Sequence, residues 1–265
     1  MYKKGLKMNR ILVKLSGESL SKDISMLDNY EELSYLEQDG FLPQISGFGV
    51  ANKTMVLKLA LDLKRAVEQN ISLAVVIGGG NLCRGTRDSV SHGLRASTDK
   101  IGMLATVING IVLSSALRIV GVHSVVLSTR SMPAICELYS VGRAMTCMES
   151  GQVVICVGGS GQPFFTTDTA AVIRACELSC DALLKATNVI GIYDVDPKNN
   201  PDAKFIERIS YDDFLTQKIQ IMDATAISIA RDEQLPIYVM STYADDAIVR
   251  ACRGDLVKSE ISVPI

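Results

Sequence analysis

The stretch Gly158-Gly-Ser-Gly-Gln-Pro-Phe-Phe-Thr-Thr-Asp168 joins an apolar run, 153–157, to an amphipathic segment, 169–178. This order predicts a strand, a glycine loop and a helix. Glycines let a backbone turn tightly and approach a ligand, and the free N–H groups at a helix start favour an anion. The stretch therefore predicts either a phosphate site or a plain βα turn. In the second case Thr166 or Thr167 caps the helix and the aspartate complements its dipole.

Composition limits the class of protein. The chain has 265 residues, of which 48% are hydrophobic and 21% charged, enough to form a full core. A net charge of -2 and a pI near 5.8 give no general attraction to nucleic acid or to an anionic membrane. Seven cysteines without a C-x-x-C pair argue against a disulfide framework and a thiolate metal site. We expect a cytoplasmic protein with reduced thiols.

Two stretches bear on membrane or secretory segments. The apolar run 11–13 ends at Lys14 with no cleavage pattern after it, which predicts that the chain has no signal peptide. No charge occurs between Lys100 and Arg118, close to the lower length limit for a membrane span. Polar residues, among them Thr106 and Asn109, interrupt this stretch. It is therefore predicted to be a buried helix, and no membrane partner is expected.

Strands and helices alternate along the rest of the chain. Apolar runs predict strands over 10–15, 71–77, 122–127, 182–184 and 237–240. Helical spacing of apolar residues predicts helices over 53–69, 101–112, 224–232 and 245–252. Residues 16–18 are predicted to be a loop, and the acidic stretch 20–50 an irregular excursion with one short helix. The pattern predicts an α/β fold: a three-layer α/β/α sandwich with a mainly parallel central sheet.

Further strand ends carry residues that suit a phosphate, and such folds bind ligands at the carboxyl ends of their strands. Lys14 and Lys185 each end a strand, where an ammonium group can reach a phosphate as a point charge. The glycine run 78–80 precedes Arg84, whose guanidinium matches two phosphate oxygens. Solvated strand-end lysines and a mobile surface loop are the alternatives. Together these features predict a polyphosphate site.

Missing motifs narrow the reaction. The sequence has neither G-x-x-x-x-G-K-[ST] nor a supported G-x-G-x-x-G motif, which argues against P-loop and dinucleotide folds. His92 and His123 have no clear nucleophile near them, and no group of residues has metal-ligand spacing. Any Mg²⁺ is therefore expected to be held mainly by substrate phosphates and water. Phosphoryl transfer to an acceptor that is already an anion, a carboxylate or a phosphate, fits best because it needs no general base.

Six segments of the chain, in the same order and spacing, resemble one known family. They are 10–18, 76–85, 99–106, 161–168, 184–197 and 221–225. They are similar to the bacterial uridylate kinases (UMP kinases) of the amino acid kinase superfamily. The resemblance implies one amino acid kinase domain over 1–265, with an acceptor half at roughly 1–170 and an ATP half at roughly 171–265. It also implies a homohexamer that uses ATP and Mg²⁺ to convert UMP to UDP by direct transfer, for pyrimidine nucleotide synthesis.

The resemblance also implies roles for individual residues. Contacts with ATP are implied for Lys14, Leu15, Ser16, Gly17, Gly80, Arg84, Thr187, Tyr193 and Asp196. Contacts with UMP are implied for Gly79, Asp99, Ser160, Gly161, Gln162, Pro163, Phe164, Phe165, Thr166 and Thr167. Catalytic roles are implied for Lys14, Arg84, Asp168 and Lys185, with the aspartate orienting the lysines. Packing and turn formation are the alternatives for Tyr193 and Asp196.

Two features depart from the family pattern. An insertion is expected within 20–46, where the family passes quickly to a Gly-Phe-Gly segment, and Gln162 stands where many relatives have asparagine. The insertion bears on regulation, because several family members sense the activator GTP through this region and are inhibited by UTP. UTP inhibition is expected to remain, since UTP would use the UMP pocket. GTP activation is left open.

Three other functions stay open at this stage. A related kinase acting on a carboxylate or carbamate would share the lysines and glycine loops but need not have Asp99. A nucleotide sensor or oxyanion store on the same fold would bind ATP without turnover. A regulatory role in nucleic-acid binding has no support from the charge balance.

Overall fold

The computed structural model describes residues 8–21, 51–83, 94–195, 197 and 200–263. Arg84 and Asp196, two of the predicted site residues, lie outside the described residues. So does nearly all of the predicted insertion within 20–46.

The strands form one large sheet and one small one. In chain order they are β1 (Arg10–Leu15), β2 (Ser72–Ile77), β3 (Ser124–Ser128), β4 (Glu137–Leu138), β5 (Val153–Val157), β6 (Ala182–Thr187), β7 (Ile192–Tyr193), β8 (Phe205–Ile206), β9 (Arg208–Ser210), β10 (Ile237–Ser241) and β11 (Lys258–Ser262). Among the described residues, the large sheet has nine strands in the order β4-β3-β5-β2-β1-β6-β10-β11-β9. Its neighbours pair in parallel except β10 and β11, which pair antiparallel. The mainly parallel sheet is therefore confirmed.

Helices cover both faces of this sheet. In chain order, within the described ranges, they are α1 (Gly17–Leu20), α2 (Lys53–Glu68), α3 (Arg95–Ile119), α4 (Val141–Glu149), α5 (Thr167–Glu177), α6 (Tyr211–Thr216), α7 (Ala224–Asp232) and α8 (Ala247–Arg253). Side chains alternate along β1: Ile11 and Val13 pack with α2, α3 and α8, whereas Leu12 packs with α4 to α7. The predicted three-layer α/β/α sandwich is confirmed.

Several predictions need correction. Residues 16–18, predicted as a loop, contain the start of the single-turn helix α1, which is too short to show a helical period. The turn-rich stretch around Gly191 contains β7, which pairs with β8 as a small antiparallel ribbon. The sequence did not predict α4, α6, β4, β9 or β11. Four of these elements have six residues or fewer, and α4 has only nine, so each is too short for periodicity to reveal it clearly.

Helix α3 is buried on one face only. Ala105 and Val112, which lie in the predicted helix, are buried, and so is Leu113 beyond its predicted end. Another stripe of the same helix, made of Ile101, Leu104, Ile108 and Ile111, is between 39% and 57% exposed. The prediction of a buried helix is thus wrong for that face, because apolar residues surround the helix and periodicity cannot choose between its sides. Length and composition would also suit a membrane span, but half of the relevant window is buried in the fold.

A glycine lets α3 lie close to the sheet. A Cβ added at Gly110 would stand 2.4 Å from Val157 Cγ1 in β5. Any larger residue would push the helix away from the strand that leads into the Gly158 loop. The contact fixes the distance between α3 and that loop.

Candidate active site

Two lysines meet on one face of the central sheet. Lys14 in β1 and Lys185 in β6 are register partners on adjacent parallel strands. Asp168, in the first turn of α5, lies between their side chains: Oδ1 is 2.8 Å from Lys14 Nζ, and Oδ2 is 2.6 Å from Lys185 Nζ. All three residues are buried. The structure therefore brings three of the four residues predicted to be catalytic into one cluster.

Burial and charge act in opposite directions within this cluster. Burial favours a neutral carboxyl, but the charges of Lys14 and Lys185 outweigh it and lower the pKa of Asp168 to about 2. Burial and the neighbouring Lys14 charge lower the pKa of Lys185 to about 8, against the attraction of Asp168. At neutral pH the cluster therefore holds one fixed carboxylate and an ammonium group that is close to losing its proton.

The loop after β5 has the backbone that its glycines allow. Gly158, Gly159 and Gly161 have φ angles of 80°, 60° and 80°, which residues with a Cβ seldom adopt. Phe164 has a φ of 72° although it is not glycine, and it is largely exposed. Strain of this kind persists only where the surroundings hold it and is frequent at ligand sites. Ser160 and Gln162 hydrogen-bond each other across the turn.

Two threonines hold Gly158 from either side. Thr106 on α3 accepts a hydrogen bond from Gly158 N at 2.7 Å, and Thr129, just after β3, donates to Gly158 O at 2.8 Å. The Arg130 guanidinium donates to Gly161 O. Both backbone polar groups of Gly158 are thus satisfied by side chains from separate elements. This fixes where the loop leaves the sheet.

The start of α5 combines a helix cap with a cross-link. Thr166 accepts hydrogen bonds from the backbone N–H groups of Asp168 and Thr169, so the capping alternative is present in the structure. The Thr166 hydroxyl also donates to Asp223 Oδ2, and the Thr169 hydroxyl donates to Asp223 Oδ1 at 2.9 Å. Asp223 in turn caps α7 by accepting from Ala226 N at 2.9 Å. One carboxylate thereby joins the starts of two helices.

A small cavity lies beside this loop. Its volume is about 150 Å³, and its lining includes Gly79, Asp99, Gly159, Phe165, Thr166 and Thr167. Asp99 Oδ2 accepts a hydrogen bond from Phe164 N at 2.7 Å, which ties α3 to the loop. Residues predicted for UMP from three distant parts of the chain thus surround one space.

The first two glycine loops touch each other just beyond the carboxyl ends of β1 and β2. A Cβ added at Gly17 would lie 2.6 Å from Asn81 Oδ1 and 2.7 Å from Gly78 O, so this contact requires glycine. Asn109 on α3 donates at 2.7 Å to both of these oxygens. Asn81 Nδ2 donates back to Asn109 Oδ1 at 3.1 Å. The buried amide of Asn109 therefore sets the position of the 78–81 loop.

The residues predicted for ATP are distributed around the end of β1 and β6. Leu15 is buried in the core, and Ser16 stands at the start of α1. Thr187 ends β6, two residues beyond Lys185, and its hydroxyl bonds the backbone of Val189. Tyr193 packs edge-on against Phe205 with ring centroids 5.7 Å apart, which realises the packing alternative.

A second, larger cavity opens on the other side of the α5 start. It has a volume of about 690 Å³, and its lining includes Phe164, Asp168, Lys218, Met222 and Asp223. Asp168 belongs both to this lining and to the lysine cluster, so the cavity and the cluster adjoin at the start of α5. The sequence did not predict the cavity's 214–225 wall as a binding surface.

Comparison with known proteins agrees with this geometry. Residues 9–241 match the amino acid kinase family. The chain belongs to the amino acid kinase family. It is 42% identical over 238 residues to the uridylate kinase of Rickettsia rickettsii (strain Sheila Smith), covering 90% of this chain and 87% of that protein.

Solved structures give the same assignment. The UMP kinase from Bacillus anthracis superposes with a TM-score of 0.81 at 32% identity, covering 97% of each chain. The UMP kinase from Ureaplasma parvum gives a TM-score of 0.79 at 31% identity, covering 97% of this chain and 100% of that one. The resemblance to uridylate kinases and the amino acid kinase fold are confirmed for this amino acid kinase.

Four residues with structural roles at the site of this amino acid kinase were not predicted: Thr106, Asn109, Thr129 and Asp223. Two of them, Thr106 and Asn109, did give a signal, since they are polar residues interrupting an apolar helix. Buried polar groups need partners, so such interruptions indicate contacts with nearby loops. Thr129 and Asp223 gave no comparable signal, because they stand just after a strand and just before a helix, where polar residues are common.

Proposed function

We propose that this protein transfers the γ-phosphoryl group of ATP to UMP, giving ADP and UDP. One observation carries the proposal. Asp168 of the Lys14–Asp168–Lys185 cluster follows directly on the glycine loop whose Thr166 and Thr167 line the small cavity, in a chain 42% identical to a uridylate kinase over 90% of its length. The product would enter pyrimidine nucleotide synthesis in the cytoplasm.

The reaction we propose is a single direct transfer. An oxygen of the UMP phosphate attacks the γ-phosphorus of ATP while the bond from that phosphorus to the β,γ-bridging oxygen breaks, and ADP leaves. No general base is needed because the attacking phosphate is already an anion. Lys14 and Lys185 would neutralise charge on the transferred group, and each ammonium keeps donors beyond the one facing Asp168. Asp168 acts as a positioning residue for both lysines.

Substrate contacts follow from the placement of the loops. For UMP, we propose Asp99 and the loop 160–167 around the small cavity, with Gly79 opposite. For ATP, we propose contacts with residues 14–17 and with Gly80. Thr187, Tyr193, Arg84 and Asp196 are proposed to complete the ATP site. The chain would divide at about residue 170 into an acceptor half and an ATP half.

Magnesium would arrive with the nucleotide. Among the described residues, no three His, Cys, Asp or Glu side chains form a group that could hold a metal ion. Both carboxylate oxygens of Asp168 are engaged by lysines, and both of Asp223 accept from threonines. Such a site fits an ion held by ATP phosphates and water, which would reduce the negative charge of the phosphates.

Self-association is proposed from the exposed stripe of α3. Ile101, Leu104, Ile108 and Ile111 present an apolar surface that a second copy of the chain would cover. The stripe supports self-association in a closed assembly, and the choice of a homohexamer rests on the resemblance to uridylate kinases. UTP is proposed to inhibit by occupying the UMP cavity, and a GTP response is left to measurement.

The test is ADP formation from Mg·ATP by the purified protein with single acceptors. UMP, CMP, dUMP, glutamate, aspartate and carbamate are offered separately, and we expect strong preference for UMP. Preference for a carboxylate or carbamate would replace the proposal with the related-kinase alternative. ATP binding without any turnover would favour the sensor alternative instead.

A further inference from the structure

A buried ion pair on α2 plays no part in the reaction described above. Lys58 Nζ lies 2.6 Å from Asp62 Oδ2, one helical turn away. Both residues are almost fully buried, with 5% and 2% of their surfaces exposed. Lysine and aspartate are seldom buried so deeply unless the surroundings use their charge or hydrogen bonds.

The remaining donors of Lys58 hold a loop. Its ammonium group donates to Thr242 O at 2.6 Å and to Ala244 O at 2.7 Å. These carbonyls belong to the 242–246 segment between β10 and α8. Arg65, two turns along α2, holds the far end of the same segment through Asp246 at 2.6 Å. The three hydrogens of the Lys58 ammonium thus have three acceptors, two of them in a distant loop.

The 242–246 segment contacts the part of the active site that is proposed to bind ATP. Thr242 donates twice to Thr187 O, from its backbone N–H at 2.8 Å and from its hydroxyl at 3.0 Å. Thr187 ends β6, two residues beyond Lys185. A continuous set of hydrogen bonds therefore runs from α2 through the 242–246 segment to the end of β6.

We propose that Lys58 is a positioning residue for ATP, acting through Thr242 on the turn that begins at Thr187. This rests on the proposed function in one respect, the assignment of Thr187 to the ATP side. Without the Lys58 ammonium, the carbonyls of Thr242 and Ala244 lose their partner and the segment is free to move away from α2. The Thr187 turn then loses its support, whereas the cavity proposed for UMP keeps its own contacts to α3.

The charges of the Lys58–Asp62 pair agree with a role of Lys58 in positioning the backbone. Burial outweighs the attraction of Lys58 and raises the pKa of Asp62 to about 6. An ion pair whose burial is so unfavourable adds little to stability compared with apolar packing. Its retention is better explained by the backbone atoms that Lys58 holds.

The same helix provides a matched control. Lys64 and Glu68 have the same four-residue spacing, but both side chains are over a third exposed and 3.9 Å apart. The experiment compares K58M with K64M, measuring the Kd of Mg·ATP by calorimetry and the KM of UMP by ADP formation. For K58M we expect a Kd for ATP about tenfold higher, with the KM of UMP changed less than about twofold. K64M should match the wild type in both.

A second variant covers the case in which K58M does not fold. T242V keeps the Lys58 contact with the Thr242 carbonyl and removes only the hydroxyl that donates to Thr187 O. It should raise the Kd of ATP about threefold. A lower melting temperature with unchanged ATP affinity in both variants would show a purely structural role and overturn the inference. The role of Lys58 is tested by ATP affinity, which is measured directly. The choice of UMP as acceptor is tested separately by turnover of the wild type, so one hypothesis can fail without the other.

Discussion

Lys14 and Lys185 face each other across adjacent parallel strands, and Asp168 binds both ammonium groups from the start of α5. Two buried ammonium groups on neighbouring strands repel each other. The carboxylate between them offsets this repulsion by attracting both. Asp168 is itself fixed because Thr166 caps its helix and is joined to Asp223. The turn between β5 and α5 thereby supplies the carboxylate that balances two lysines from other strands.

Replacing the central carboxylate should separate positioning from folding. D168N keeps the shape of the side chain but removes the charge that holds both lysines. We expect kcat to fall by about 100-fold or more, since preorganised charge is a large part of such catalysis. Steady-state kinetics measure the loss, and circular dichroism verifies the fold. A kcat within about twofold of the wild type would remove Asp168 from the mechanism.

The alkaline limb of the pH profile should report Lys185. Its pKa is lowered to about 8, so the ammonium is charged below that pH and neutral above it. Because the charged form is the one that can stabilise phosphate, kcat/KM should fall as pH rises through about 8. K185R carries a charge that persists in this range. Any activity that K185R retains should not decrease over this pH range. If kcat/KM of K185R decreased in the same way as that of the wild type, the titrating group would be a residue other than Lys185.

Replacing Thr106, which accepts a hydrogen bond from the Gly158 N–H, should change the kinetics of UMP more than those of ATP. T106V preserves side-chain volume but leaves that N–H without its acceptor. We expect kcat/KM for UMP to drop about tenfold, because the variant loses this bond to the loop as well as the one that the hydroxyl donates to Met103 O within the helix. S115A is the control, because Ser115 lies on the same helix and its hydroxyl donates only to Ile111 O. Equal effects of the two variants would contradict the assigned role.

The close contact of α3 with β5 predicts a destabilising glycine substitution. G110A would place a methyl group against Val157, and we expect a loss of about 1–3 kcal/mol in unfolding free energy. G142A, in α4, meets no atom within 4 Å and should be neutral or slightly stabilising through helix propensity. Chemical denaturation of both variants gives the comparison. A stable G110A would mean that α3 lies further from the sheet.

Much of this architecture could be predicted because it depends on local patterns. Buried strands such as β5 appear as apolar runs, and their glycine-rich ends place Lys14 and Gly158 at one edge of a parallel sheet. The parts that could not be predicted depend on tertiary contacts. Asp223 lies 57 residues from Thr166 in sequence, and nothing near either residue indicates that they meet.

The orientation of helix α3 could not be predicted either. Its apolar residues surround the helix, so the pattern alone could not tell that Ile101 and Ile108 face outward. The same holds for Lys58, which looks like an ordinary surface lysine in sequence and is buried by the 242–246 segment. Charge and periodicity describe one element at a time, whereas these roles arise between elements.

The most direct test of the central claim follows the transferred phosphoryl group itself. ATP labelled at the γ-phosphate is mixed with UMP and the wild-type protein, and the products are separated by chromatography; K185M is run in parallel. We predict that the label appears on UDP with the wild type and that the rate falls by about 100-fold or more in K185M. Label found only as inorganic phosphate, or UDP formed equally fast by K185M, would contradict direct transfer at the Lys14–Asp168–Lys185 cluster.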